Sequence, residues 1–292
     1  MNTLVLINKP VDCRSTTCVG IVRNKLNKIK TGHAGTLDST ASGLLVLLTG
    51  HATRFCEYIM SLPKVYRAKI QFGIETDTYD YSGEILAEKG FENFDEKILN
   101  DAFYSFSGLR LQTPPAVSAI KIDGQPAYKI ARSGQEIEMK SRPVFFREIK
   151  VITPFNPKDG TVELEISCGR GTYIRSLAHD LGLIMGCGAH VKSLERISIG
   201  IFNLKNANSP DDENFKFVNL SKLAENFTRI YVSERDEKSF MNGMSIVIRQ
   251  AEKIFRGFTV AKNTICVEGE KFLGFGTYAG YDYVKPDVIV AK

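Results

Sequence analysis

Residues 32–43 read Gly-His-Ala-Gly-Thr-Leu-Asp-Ser-Thr-Ala-Ser-Gly, and Leu44-Leu45-Val46-Leu47-Leu48 follows at once. Three glycines among small polar residues let the backbone turn sharply and let a ligand come close. The apolar run reads as a helix, which Asp38, Ser39 or Thr40 would cap. A single carboxylate, Asp38, therefore stands on a tight turn at the head of an apolar element. That placement suits a carboxylate presented rigidly to a substrate, and it suits an ordinary helix N-terminus equally well.

The chain is long enough, at 292 residues with 43% hydrophobic content, for one large domain or for one large and one small. A net charge of +5 permits a polyanionic partner without demanding one. The six cysteines include no Cys-x-x-Cys pair, and Cys187 with His190 has no second ligand pair at zinc-site spacing. They read as free thiols in a reducing compartment, with no metal site. The opening residues form a strand ending in a Pro10 turn rather than a signal peptide. No segment approaches the roughly 18 apolar residues of a membrane span. A cytoplasmic protein with no membrane association is expected.

Alternation predicts strands at Val65–Phe72 and at Thr161–Ser167. Helical spacing of Ile174, Leu177, Leu181 and Ile184 predicts a helix within Thr172–Met185. Val19–Leu26 forms a short helix in a basic stretch with Arg23, Lys25, Lys28 and Lys30, and a second short helix lies near Leu220–Asn226. Strands and helices mixed without a steady β-α-β rhythm give an α+β class. From about Ile230, short apolar runs between glycine turns predict a small β-barrel, with a domain boundary near residue 228.

Four further segments stand out. They are Lys64-Val65-Tyr66-Arg67-Ala68; Gln112-Thr113-Pro114-Pro115 continuing to Arg132; Cys168-Gly169-Arg170-Gly171-Thr172-Tyr173-Ile174-Arg175; and Gly186-Cys187-Gly188-Ala189-His190 leading to Leu194. Taken singly they read as an exposed strand, a stiff surface loop, a strand-to-helix turn and a glycine turn into a strand. Arg175, near the start of a core helix, calls for a carboxylate partner.

Together with Gly32–Asp38, Leu6-Ile7-Asn8-Lys9-Pro10 and Thr76-Asp77-Thr78-Tyr79-Asp80, these segments resemble, in order, the bacterial pseudouridine synthases that modify uridine 55 in the T arm of transfer RNA. The resemblance covers about residues 4–200. It implies a pseudouridine synthase catalytic domain over 1–228, with a mixed, largely antiparallel sheet flanked by helices and loops. An RNA-clamping insertion would occupy about 112–145, and a small PUA-like barrel 229–292. It implies Asp38 as nucleophile, Arg175 as its ion-pair partner, and Tyr66 as the residue that stacks on the uracil and relays the C5 proton. Tyr173 and Leu194 match pocket positions, and His33 matches the residue that fills the space left by the flipped base. Lys9, Lys121, Arg132 and Arg142 are implied at the RNA.

No cofactor or guide RNA is implied, and a monomer acting on the T stem-loop is expected. An RNA-folding module with secondary catalysis is the alternative, and a guide-RNA-dependent synthase is a further one. Three positions depart from the family pattern: Ser39 for the usual Pro, Val117 for an aromatic, and Glu195 for a basic residue. They bear on affinity and substrate range rather than on the chemistry.

Overall fold

The apolar run after the glycine turn is a strand, Ser42–Thr49, and not the helix expected. The structure, a computed structural model, describes all residues except 92–93, 119, 123, 128–129, 131–137 and 256–262, and the backbone alone at 121, 122 and 126.

Along the chain lie β1 (Leu4–Lys9), α1 (Ser15–Lys25), β2 (Thr31–His33), β3 (Ser42–Thr49), α2 (Cys56–Ser61), β4 (Lys64–Phe72), β5 (Ile74–Thr76), β6 (Ile85–Glu88), α3 (Glu96–Phe106), β7 (Gly108–Gln112), β8 (Lys121–Ile122), β9 (Gln125–Pro126), β10 (Arg142–Asn156) and β11 (Thr161–Cys168). There follow α4 (Ile174–Ile184), β12 (Ala189–Ile199), β13 (Phe202–Asn203), β14 (Phe217–Val218), α5 (Leu220–Ala224), β15 (Arg229–Tyr231), α6 (Glu234–Met241), β16 (Ile246–Val247), β17 (Lys253–Phe255), β18 (Thr264–Glu268), β19 (Phe272–Tyr278) and β20 (Tyr283–Ala291). Two compact units emerge, Met1–Pro63 with Ser198–Lys292, and Lys64–Ile197.

In the first unit, β1 lies between β14 and β3, and β2 pairs with β3. The β1–β3 register runs antiparallel from Leu4 opposite Leu48 to Lys9 opposite Gly43. Alternate residues of β3 enter different cores. Leu44, Val46 and Leu48 join Leu4, Leu6 and Phe55, while Leu45 and Leu47 pack with Val5, Ile7 and the α1 residues Cys18 and Val22. A strand buried on both faces carries no polar alternation, so its sequence is indistinguishable from a short buried helix.

The C-terminal residues of this unit form a six-stranded sheet in the order β16-β20-β19-β18-β15-β17. Only the β15–β18 pair among its described neighbours is parallel. It is not an isolated appendage. Tyr58 stacks on Phe275 with ring centroids 3.9 Å apart, and Phe55 meets Phe275 edge-on at 5.2 Å.

The second unit orders its strands β12-β4-β11-β10-β7. Strands β4 and β11, both expected from their alternation, pair antiparallel from Lys64 opposite Cys168 to Gln71 opposite Thr161. Helix α4 buries Ile174, Leu177 and Leu181 against Ile166, Phe103 and Phe106. Ile184, which the spacing places on the same stripe, is exposed at the frayed end of the helix. No described helix is long and apolar enough to cross a membrane.

Candidate active site

Asp38 lies in the loop between β2 and β3, half-buried, and its two neighbours are fastened. Leu37 is buried, and its backbone N–H and carbonyl both bond to the Ser15 hydroxyl at 2.9 Å. The Ser39 carbonyl accepts from the Asp12 N–H at 2.8 Å and from Lys9 Nζ at 3.4 Å. Gly35 and Gly43 bracket the loop with φ of +101° and +106°, in the left-handed region that glycine allows at no steric cost. The β2 strand ends at His33, opposite Leu47 of β3. His33 is half-buried, directly before the loop.

Lys9, expected at the RNA, is fully buried. Its ammonium donates to the carbonyls of Pro10 at 2.8 Å, Cys13 at 2.7 Å and Ser39. Burial holds its pKa below the ordinary lysine value, against the opposing pull of Cys13, Cys18, Asp38 and Asp12. Lys9 therefore ties the β1 end to the Asp38 loop. The sequence motif pointed to the residue and not to this use of it.

In the second unit, Tyr66 of β4 and Leu194 of β12 are both half-buried against the same apolar core. Lys64, two residues before Tyr66, is buried. Desolvation, then Arg196, pushes its ammonium down to about 7, with Arg170 adding and Cys168 opposing.

Arg175 stands in the first turn of α4, 4% exposed. Its guanidinium donates to the carbonyls of Thr78 and Val117, each at 3.0 Å. Its Nε lies 3.9 Å from the Asp80 carboxylate. Asp80 also accepts from the Thr78 hydroxyl at 2.8 Å and from the Ser82 N–H and hydroxyl at 3.0 and 2.7 Å. The sequence called for a carboxylate beside Arg175; Asp80 supplies one from 95 positions away. Only the Thr76–Asp80 motif hinted at it.

Tyr173 caps α4 from the β/extended region and has no side-chain cap of its own. The buried amide of Gln112 substitutes, accepting from the Tyr173 N–H at 2.9 Å and donating to its carbonyl at 3.0 Å. Ser176 adds a bond to the Thr113 carbonyl at 2.7 Å. Gln112→Ala leaves two part-buried backbone groups without this partner. It should lower unfolding stability by on the order of 2 kcal/mol, read by urea denaturation. An unchanged midpoint would remove the latch from the account.

Arg142 opens β10 opposite Gln112 and is exposed. Lys121 lies in β8, where the side chain is not described, and Arg132 lies outside the described residues. Among the described residues, no three His, Cys, Asp or Glu side chains gather where they would hold a metal ion. Asp38 stands on a pinned loop of the first unit; Tyr66, Leu194 and the buried Arg175 belong to the second.

The family model for the N-terminal domain of TruB family pseudouridylate synthases matches residues 23–174, and that for the tRNA pseudouridylate synthase B C-terminal domain matches 175–241. The tRNA pseudouridine synthase B of Geobacter sulfurreducens is 36% identical over 282 residues, covering 96% of this chain and 88% of that protein. The enzyme of the same name from Clostridium kluyveri is 33% identical over 290 residues, covering 97% and 98%. Among solved structures, a chain of a Cbf5–Nop10–Gar1 complex superposes with a TM-score of 0.70 at 20% identity, covering 99% of this chain and 84% of that one. A chain of an H/ACA RNP bound to a substrate RNA containing 2′-deoxyuridine gives 0.70 at 19% identity, covering 98% and 83%. At these identities the structural likeness speaks to the fold.

Proposed function

The chain belongs to the TruB family of pseudouridylate synthases, isomerases acting on tRNA, and from that premise we propose that it converts uridine 55 in the T arm to pseudouridine without a guide RNA. The observation that carries the reading is the Asp38 loop: a carboxylate whose two neighbours are tied down by Ser15, Asp12 and Lys9. Such a carboxylate can attack without first being ordered.

In this reading the N1–C1′ bond of the flipped uridine breaks, the base turns, and a C5–C1′ bond forms. The C5 proton leaves by way of the Tyr66 phenol to water and N1 takes one from water, so the step is an isomerisation with no net oxidation. Asp38 is the nucleophile. Arg175 supplies fixed positive charge at the reacting centre, Tyr66 the stacking face, Leu194 and Tyr173 the pocket wall, and His33 the filler of the vacated stack. Residues 1–228 carry the chemistry, about 112–145 close on the RNA with Lys121, Arg132 and Arg142 at phosphates, and 229–292 form the PUA-like contact. The protein acts as a cytoplasmic monomer.

The test is to incubate an unmodified tRNA transcript with the purified protein alone and to map pseudouridine along it. Modification at position 55 is expected. Modification elsewhere, or only after another RNA is added, would overturn the assignment of site or of independence.

A further inference from the structure

Helix α4 grips the 76–82 turn at two points, and only one of them is Arg175. The Arg175 guanidinium takes the Thr78 carbonyl and the Asp80 carboxylate, the groups on either side of Tyr79. Tyr79 itself has φ of +60°, a left-handed conformation unfavourable for a bulky side chain. Something must hold it there. Its ring stacks on His179 with centroids 4.0 Å apart and planes 14° from parallel. His179 is four residues after Arg175, so both side chains leave the same face of α4. The His179 Nδ1 lies 3.6 Å from the Glu75 carboxylate, on the strand that enters the turn. The far side of the turn is bonded to β12, with the Val191 N–H donating to the Tyr79 carbonyl at 2.9 Å and the Tyr81 N–H to the Val191 carbonyl at 3.0 Å. Burial, with Glu75 and Asp180 near, pushes the Tyr79 phenol above its ordinary pKa, so the stacked ring stays neutral.

We propose that Tyr79, His179 and Glu75 are positioning residues for the reaction: they clamp the turn in the one conformation from which Thr78 and Asp80 aim Arg175. The inference rests on the reading that Arg175 acts at the reacting centre. Without the clamp the turn relaxes toward ordinary φ, and the Thr78 carbonyl and Asp80 carboxylate move together, taking the guanidinium with them. A misplacement of this kind slows the chemical step far more than it weakens the grip on a large RNA.

The experiment measures single-turnover release of tritium from tRNA labelled at uridine C5, alongside tRNA Kd and thermal midpoint. His179→Ala should slow release about 10- to 50-fold, with Kd within about twofold. His179→Phe, which keeps a ring for Tyr79 to stack on, should recover most of that loss. Tyr79→Ala keeps the backbone penalty and removes the ring, and should be as slow as His179→Ala, whereas Tyr79→Gly removes the penalty with the ring and should recover most of the rate. The double variant Tyr79→Ala/His179→Ala should be no slower than either alone, because the two act as one unit. A His179→Ala rate within twofold of the unaltered protein, a loss matched by weaker tRNA binding, or multiplicative single effects would each overturn the clamp. Arg175→Met is run in parallel. If it releases tritium at the full rate, the premise about Arg175 fails and the clamp falls with it. If it is slow while His179→Ala is not, the clamp alone fails.

Discussion

Asp38→Asn and Asp38→Ala should leave a folded protein that still binds tRNA and forms product at least about 10⁴-fold more slowly, the scale of loss when a nucleophile is removed. The geometry separates the two properties. The loop is held through the Leu37 backbone, the Ser39 carbonyl and the Lys9 ammonium, hydrogen bonds that do not run through the Asp38 carboxylate. The loss of rate should therefore far exceed the loss of stability, with thermal midpoints lowered by about five degrees at most. Asn keeps the shape and the polar atoms and loses only the negative charge and the nucleophilic oxygen, so it is the sharper of the two tests. Tritium release from uridine-labelled tRNA reads the rate, and filter binding reads the affinity. Turnover by Asp38→Ala within tenfold of the unaltered protein would remove Asp38 from the role of nucleophile.

Asp80→Ala should cost the second unit about 3–5 kcal/mol of stability, as a buried arginine loses a buried carboxylate. Arg175 and Asp80 are only 5% and 6% exposed at their side chains, so solvent cannot replace the lost partner. The same carboxylate also closes the turn through Thr78 and Ser82. Asp80→Asn divides these duties. Its amide oxygen still accepts from Thr78 and Ser82, so the turn survives, while the charge facing Arg175 is gone. The expected pattern is a smaller stability loss for Asn than for Ala, with catalysis lowered about 100-fold or more in both. Urea denaturation and single-turnover rates resolve the two effects. Equal stability of Asp80→Ala and the unaltered protein would mean that the pair does not hold the site.

Elements half-covered by solvent were legible in the sequence, and those wrapped in protein were not. Strands β4 and β11 alternate because one side chain in two is less deeply buried, and α4 shows its stripe because one face meets a core. Strand β3 sends side chains into two cores, so nothing in Leu44–Leu48 distinguishes it from a helix. The small C-terminal sheet announced its strands through its turns, but the stacking of Tyr58 on Phe275 joins residues more than 200 positions apart, which no local pattern records. The site divides the same way. Asp38, Tyr66 and Arg175 stand in motifs, so their positions were readable. Asp80 as partner of Arg175, Gln112 as the cap of α4, and Lys9 as a buried tie depend on which backbone groups meet in space.

Two of the three positions that the resemblance marks as departures meet their neighbours through atoms that every amino acid possesses. Ser39 contributes its carbonyl oxygen to Asp12 and Lys9, and Val117 contributes its carbonyl oxygen to Arg175. A proline at 39 or an aromatic ring at 117 would present the same acceptor. The fasteners of this centre are thus largely written in the main chain, and the genetic text at those two codons is released from the chemistry it sits beside.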